Sequence, residues 1–147
     1  VCIVLALGAS ACTPSEPAST TAPLTATAEP TVLAGDALVE RGEYLVTGLL
    51  GCNDCHTPMT PTGPDMSKSL QGADLVFAPL IDMPWAPHAP ALAGLPDGYD
   101  AEQFAHFLQT GEKSVGGMTM PPMPPFRLNA EDARAATAYI ASLPKPA

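Results

Sequence analysis

Apolar positions recur at helical spacing in three stretches of the chain. Leu38, Gly42, Leu45 and Leu49 stand at i, i+4, i+7 and i+11 and predict a helix capped by Asp36 and running to about Leu50. Glycine inside a helix costs up to ~1 kcal/mol relative to alanine. On an apolar face it also lets a second helix approach closely, and Gly42 is read in that way. Asp100 opens a second helix, with Gln103 at capping-box spacing. Ala101, Phe104, Phe107 and Leu108 form its apolar face, His106 falls off that face, and Gly111 is the natural stop. Asn129 caps a third helix, with Asp132 placed for a capping-box variant and for the helix dipole. Ala133, Ala136, Ile140 and Leu143 share one face, and Pro144 and Pro146 end the helix. Small residues on this face match Gly42, which predicts a close crossing of the first and last helices. The expected class is all-α.

Between these helices the pattern changes. Thr57 to Pro64 is rich in turn residues, and Leu70 to Trp85 carries apolar side chains without a helical period. Trp85 to Pro90 is a further restricted loop. Gly116 to Arg127 contains four prolines, which forbid a regular helix and stiffen an extended segment. Eighteen prolines and 12 glycines in 147 residues leave room for one core and much loop.

The net charge of −9 argues against nucleic acid as a partner, because phosphate binding needs basic patches. It suits solubility and steering toward a basic docking partner. No stretch reaches the ~20 apolar residues of a membrane span.

The first residues read as a processing segment. Val1 to Leu7 is almost wholly apolar and is followed by Gly8-Ala9-Ser10-Ala11-Cys12. Residues 1–12 are expected to be the end of a truncated secretory signal peptide whose basic start lies outside this sequence. The small residues before Cys12 resemble the lipobox of bacterial lipoproteins, in which the cysteine is lipidated. Ala9 stands where such boxes usually carry leucine, and an ordinary signal peptidase site is the alternative. Residues 13–33, rich in Thr, Ala and Pro, cannot bury enough surface to offset their ordering entropy and are expected to be a flexible linker. Residues 34–147 form the domain. The expected location is the periplasm or the outer face of the cell envelope, with a lipid anchor.

The chemistry concentrates at Cys52-Asn53-Asp54-Cys55-His56, a C-x-x-C-H sequence. Two thiols at this spacing can each form a thioether to one vinyl edge of a single porphyrin, and the adjacent His56 can supply an imidazole to the iron. A redox disulfide and half of a zinc site are the rival readings. The zinc reading lacks a second Cys or His pair, since Cys2 and Cys12 lie in the N-terminal segment and His88 and His106 stand alone. The dithiol reading lacks a visible βαβ context.

The proline-rich loop offers a second iron ligand. A stiff loop presents a thioether with little closure entropy, and His/Met ligation raises the potential of a c-type haem. The rival reading makes its methionines core fillers. Met123 starts Met-Pro-Pro-Phe six positions before Asn129 and is favoured; Met120, which also starts a Met-Pro-Pro run, is the alternative, and Met118 is weakest. The segments from Leu70 to Trp85 and from Trp85 to Pro90 are expected to line one side of the haem, where Trp85 can donate its indole N–H to a propionate or can fill the core. Arg127 can pair with a propionate or lie exposed. His88 is read as a surface histidine before an alternative iron ligand.

From about Asp36 to Pro144 the chain resembles the monohaem class I type cytochrome c family, in particular modules associated with membrane dehydrogenases. The residues that carry the resemblance are Arg41-Gly42-Glu43-Tyr44-Leu45, Cys55-His56-Thr57-Pro58, Met123-Pro124-Pro125-Phe126, and the stretch from Glu131-Asp132 through Ala138-Tyr139-Ile140. The resemblance implies an all-α fold with crossed terminal helices, one covalently bound haem c, and electron transfer between redox protein partners. It departs from the family in the long, proline-rich segment after the haem motif and in the doubled Met-Pro-Pro. The resulting expectation is an electron carrier rather than an enzyme, with Cys52, Cys55, His56 and Met123 as its cofactor residues. A fixed cytochrome subunit of a dehydrogenase or oxidase is one alternative, and a haem-based gas sensor is another.

Overall fold

Near the start of the domain the chain follows its apolar stripe, with one deviation. In the computed structural model, which describes residues 32–146, helix α1 spans Asp36–Glu43 and runs on into a π-helical turn, Tyr44–Leu49. Cys12, the expected signal segment and most of the expected linker lie outside the described residues.

Two expectations need correction here. Asp36 is the first helical residue rather than the cap; Gly35 takes the cap position and no side chain bonds the helix end. Asp36 therefore acts through its charge in the first turn. Leu49 is 63% exposed, whereas Val46 is fully buried beside Leu45. The wider π turn advances by fewer degrees per residue, so it carries Leu49 off the core face and brings Val46 onto it. Such turns are frequent at functional sites. This one leads into Cys52, whose N–H donates to the Val46 carbonyl at 3.1 Å.

Helix α2 is a single turn, Asn53–His56. Helix α3, Ala101–Thr110, begins with the predicted reciprocal cap: Asp100 Oδ1 accepts from the Gln103 N–H at 2.8 Å, and Gln103 Oε1 accepts from the Asp100 N–H at 3.1 Å. Its buried residues are Phe104, Ala105 and Leu108. Ala101, expected on that face, is exposed in the first turn. Helix α4, Ala130–Ser142, is capped by Asn129, whose Oδ1 accepts from the Asp132 N–H at 2.8 Å.

Helices α1 and α4 meet as predicted, at Gly42. A Cβ there would overlap the Ala135 carbonyl and come within 2.8 Å of the Tyr139 Cβ. Arg41 closes the same seam, with its Nε 2.9 Å from Asp132 Oδ1. The core around this pair includes Val46, Leu70, Leu92, Phe104, Leu108 and Ile140.

The all-α expectation omits two short hairpins. Strand β1, Met59–Thr60, pairs antiparallel with β2, Gly63–Pro64. Strand β3, Ala73–Asp74, pairs antiparallel with β4, His88–Ala89. The second hairpin staples the ends of the long segment that showed no helical period. No described helix is long and apolar enough to cross a membrane.

Candidate haem site

One turn of backbone gathers the motif. The His56 N–H donates to the Cys52 carbonyl at 2.9 Å, so Cys52, Cys55 and His56 stand at i, i+3 and i+4 and share one side of that turn. Buried hydroxyls brace it. Asn53 Oδ1 accepts from Thr57 Oγ1 at 2.7 Å and from Ser69 Oγ at 2.8 Å, and Thr57 Oγ1 accepts from the Leu70 N–H at 3.0 Å. Asn53, inside the motif, is thus tied to the segment that follows it.

His56 is 5% exposed. Its Nδ1 lies 2.7 Å from the Pro90 carbonyl oxygen. A carbonyl only accepts, so Nδ1 carries the proton and Nε2 keeps the lone pair. Burial holds the imidazole below its ordinary pKa, opposed by the Pro90 bond, while the charge of His88 lowers it further. The ring is therefore a neutral donor.

Cys55 and His56 line an apolar cavity of about 460 Å³. Leu75, Pro90, Leu92 and Leu95 contribute to its wall, as do Tyr99, Phe104 and Phe107, whose rings pack with centroids 5.6 to 5.9 Å apart. Met120 and Met123 also line it. Cys52 packs against the core beside it instead.

The Met loop is anchored at several points. Thr119 N–H donates to the Gly111 carbonyl at 2.9 Å, Met123 N–H to the Met120 carbonyl at 3.1 Å, and Ala86 N–H to the Pro121 carbonyl at 2.8 Å. Met123 is half-buried, Met120 is 43% exposed, and Met118 is 55% exposed and away from the cavity lining.

The other candidates fall as follows. Trp85 is half-buried, packed edge-on to Phe77 at 5.7 Å, and outside the cavity lining; its Nε1–H is buried without a partner among the described residues. His88 is exposed and paired with Asp74 at 2.9 Å. It also lines the cavity. His106 and Arg127 are exposed.

The rival chemistries fit less well. Among the described residues no three His, Cys, Asp or Glu side chains come together as a metal site. Burial pushes the Cys52 thiol up to about 11 and raises Cys55 as well, helped by the Asp54 charge. A nucleophilic dithiol needs the opposite shift.

Residues 39–144 match the family described as Cytochrome c. The chain belongs to the cytochrome c family. The match supports its class I monohaem branch, whose members attach haem c covalently and carry electrons. No curated protein matches the chain. Its partners as a cytochrome c are redox proteins.

The residues present suit that group. They supply two thiols one turn apart, a buried neutral imidazole, and thioethers that line the same apolar cavity. Several contributors were not singled out from sequence. Tyr99 gave a signal as an aromatic just ahead of a capped amphipathic helix. Pro90 falls in the loop expected to line the haem, but its bond to His56 gave no signal, because it is made by a backbone carbonyl. Lys145, whose Nζ donates to Asp97 Oδ1 at 2.7 Å at the cavity rim, followed a helix stop and carried no signal either. That bond holds the Asp97 carboxyl below its ordinary pKa.

Proposed function

We propose that this cytochrome c carries single electrons in the cell envelope, with its haem held by Cys52 and Cys55 and ligated by His56 and Met123. The observation that carries the reading is that His56 and the Met loop line the same apolar cavity. The haem, when bound, supplies an iron that alternates between ferric and ferrous.

The protein does the rest. Cys52 and Cys55 fix the group by thioethers, so it persists outside the cytoplasm. His56 offers Nε2, with its tautomer set by Pro90. Met123 offers a soft sulfur that favours the reduced state. Its deeper burial favours it over Met120, which lines the cavity too. Trp85, whose Nε1–H has no partner among the described residues, would give it to a propionate. The apolar wall limits water at the redox centre, which keeps reorganisation small.

Absorption of the oxidised holoprotein tests this. A weak far-red band from methionine sulfur on ferric iron is the expected result. Its absence, with ready carbon monoxide binding to the reduced protein, favours a gas sensor instead. Co-purification with a dehydrogenase or oxidase in mild detergent favours a fixed subunit over a free carrier.

The envelope reading rests on the small residues before Cys12 and the Thr/Ala/Pro-rich linker. Labelled palmitate should enter the wild-type chain and not Cys12→Ser. Equal labelling of both overturns the anchor.

A further inference from the structure

The loop between β3 and β4 exposes several large apolar side chains close together in sequence. Val76 is 72% exposed, Ile81 72% and Leu80 fully exposed. Isolated apolar side chains on a surface are ordinary, but a contiguous group marks an interaction site. The segment is fixed at its base, where the Leu75 N–H donates to the Pro87 carbonyl at 2.9 Å. Phe77 and Trp85 pack against each other within it. Leu75 and Ala86, at its two ends, line the haem cavity, and Ala86 is bonded to the Met loop. The loop is therefore a braced apolar platform rooted in the cavity wall.

Its charge selects the partner. From residue 69 to residue 90 the sequence contains no Lys or Arg, and its acidic residues are Asp74 and Asp82; the lysines nearest the cavity are Lys113 and Lys145, and Lys145 is bound to Asp97. Asp74 and Asp82 lie exposed on or beside the loop. This acidic rim, Asp74 and Asp82 beside an apolar centre, disfavours a second copy of this chain, which carries the same −9. It repels an anionic lipid surface as well. It complements a protein face that is apolar at the centre and ringed by Lys and Arg.

We infer that the Val76–Met83 loop is the docking surface for a basic redox protein, which it seats beside the haem cavity. This rests on the electron-carrier reading. The apolar centre sets how long the encounter lasts, and the acidic rim sets how fast it forms. One electron crosses per encounter, with one partner oxidised and the other reduced and no proton moved.

Tris(phenanthroline)cobalt(III), an apolar trication, serves as the probe. Hexaammineruthenium(II), a hydrophilic dication, serves as its control. The cobalt reagent oxidises the ferrous holoprotein by one electron as cobalt(III) becomes cobalt(II), and the ruthenium reagent reduces the ferric holoprotein by one electron as ruthenium(II) becomes ruthenium(III). Leu80→Ser/Ile81→Ser should slow the cobalt reaction about fivefold or more, since two apolar contacts are lost. The ruthenium rate, the visible spectrum and the reduction potential should stay unchanged. Asp74→Asn/Asp82→Asn should slow both reagents and flatten their salt dependence.

An unchanged cobalt rate in the Ser variant overturns the inference. So does wild-type binding to phosphatidylcholine vesicles that the Ser variant loses, which assigns the loop to a membrane surface. Wild-type dimerisation in sedimentation that the Ser variant loses assigns it to a second copy and overturns the inference too. Failure of the wild type to react with either reagent overturns the carrier reading itself, and the docking inference with it.

Discussion

The Nδ1 of His56 lies 2.7 Å from the carbonyl oxygen of Pro90, 34 residues further along the chain. This contact ties the haem motif to the strap that follows β4. It also makes the imidazole a stronger electron donor, because the N–H it donates leaves partial negative charge on the ring. A stronger donor favours ferric iron.

Pro90→Ala should therefore raise the reduction potential. The carbonyl stays in place, but the backbone that aims it gains freedom. Partial loss of one hydrogen bond, itself about 1 kcal/mol, corresponds to a shift on the order of 20 mV upward. Potentiometric titration against wild type reads it. A downward shift shows that Pro90 does not act through the His56 bond.

Met123→Ala should abolish the far-red band of the oxidised protein and lower the potential, because water is a harder ligand than a thioether. Met120→Ala should keep the band, since Met120 is the more exposed of the two. Loss of the band in Met120→Ala alone reassigns the ligand while leaving the electron-carrier function in place.

Gly42→Ala should destabilise the domain by about 3 kcal/mol, the upper part of the range for overpacking. The new methyl meets backbone rather than a movable side chain, so α1 and α4 must separate. Gly48→Ala is the matched control, because its methyl would meet only the Tyr44 ring, at 3.7 Å. Chemical denaturation followed by helical circular dichroism reads both. Similar midpoints for the two variants would show that the helix contact is looser than Gly42 implies.

Local pattern made the helices legible and left the site half-read. Asp100 with Gln103, and Asn129 with Asp132, announce two helix starts through side-chain chemistry that needs no tertiary partner. The π turn has no such signature: Leu49 sits at the right spacing for the core face, and only the packed helix pair shows that the register slips. His56 was visible because covalent attachment demands fixed spacing. The cavity wall was visible in part: the loops from Leu70 to Pro90 do line it, through Leu75, Ala86 and Pro90, whereas Leu92, Leu95 and Tyr99 join them through loops whose course proline restricts without specifying. The doubled Met-Pro-Pro presented two candidate sulfurs, and both Met120 and Met123 line the cavity.

The last prediction concerns how the Met loop is held. Gly111 ends α3 with φ of 75°, and a Cβ there would lie 2.8 Å from the Pro125 Cβ and 3.2 Å from the Met118 Cε. Two costs follow for Gly111→Ala. The left-handed backbone costs about 1 kcal/mol for a residue with a side chain, and the loop must also move off the helix end. Gly98→Ala isolates the first cost, because Gly98 has φ of 80° with nothing within 4 Å of its added methyl. Both variants should lose global stability. In Gly98→Ala the far-red band should disappear together with helical circular dichroism during denaturation. In Gly111→Ala the band should disappear at lower denaturant than the helices, because the loop detaches before the domain unfolds. Coincident transitions in Gly111→Ala show that the Pro125 contact does not hold the methionine, and the anchoring then rests on the Thr119 and Ala86 hydrogen bonds.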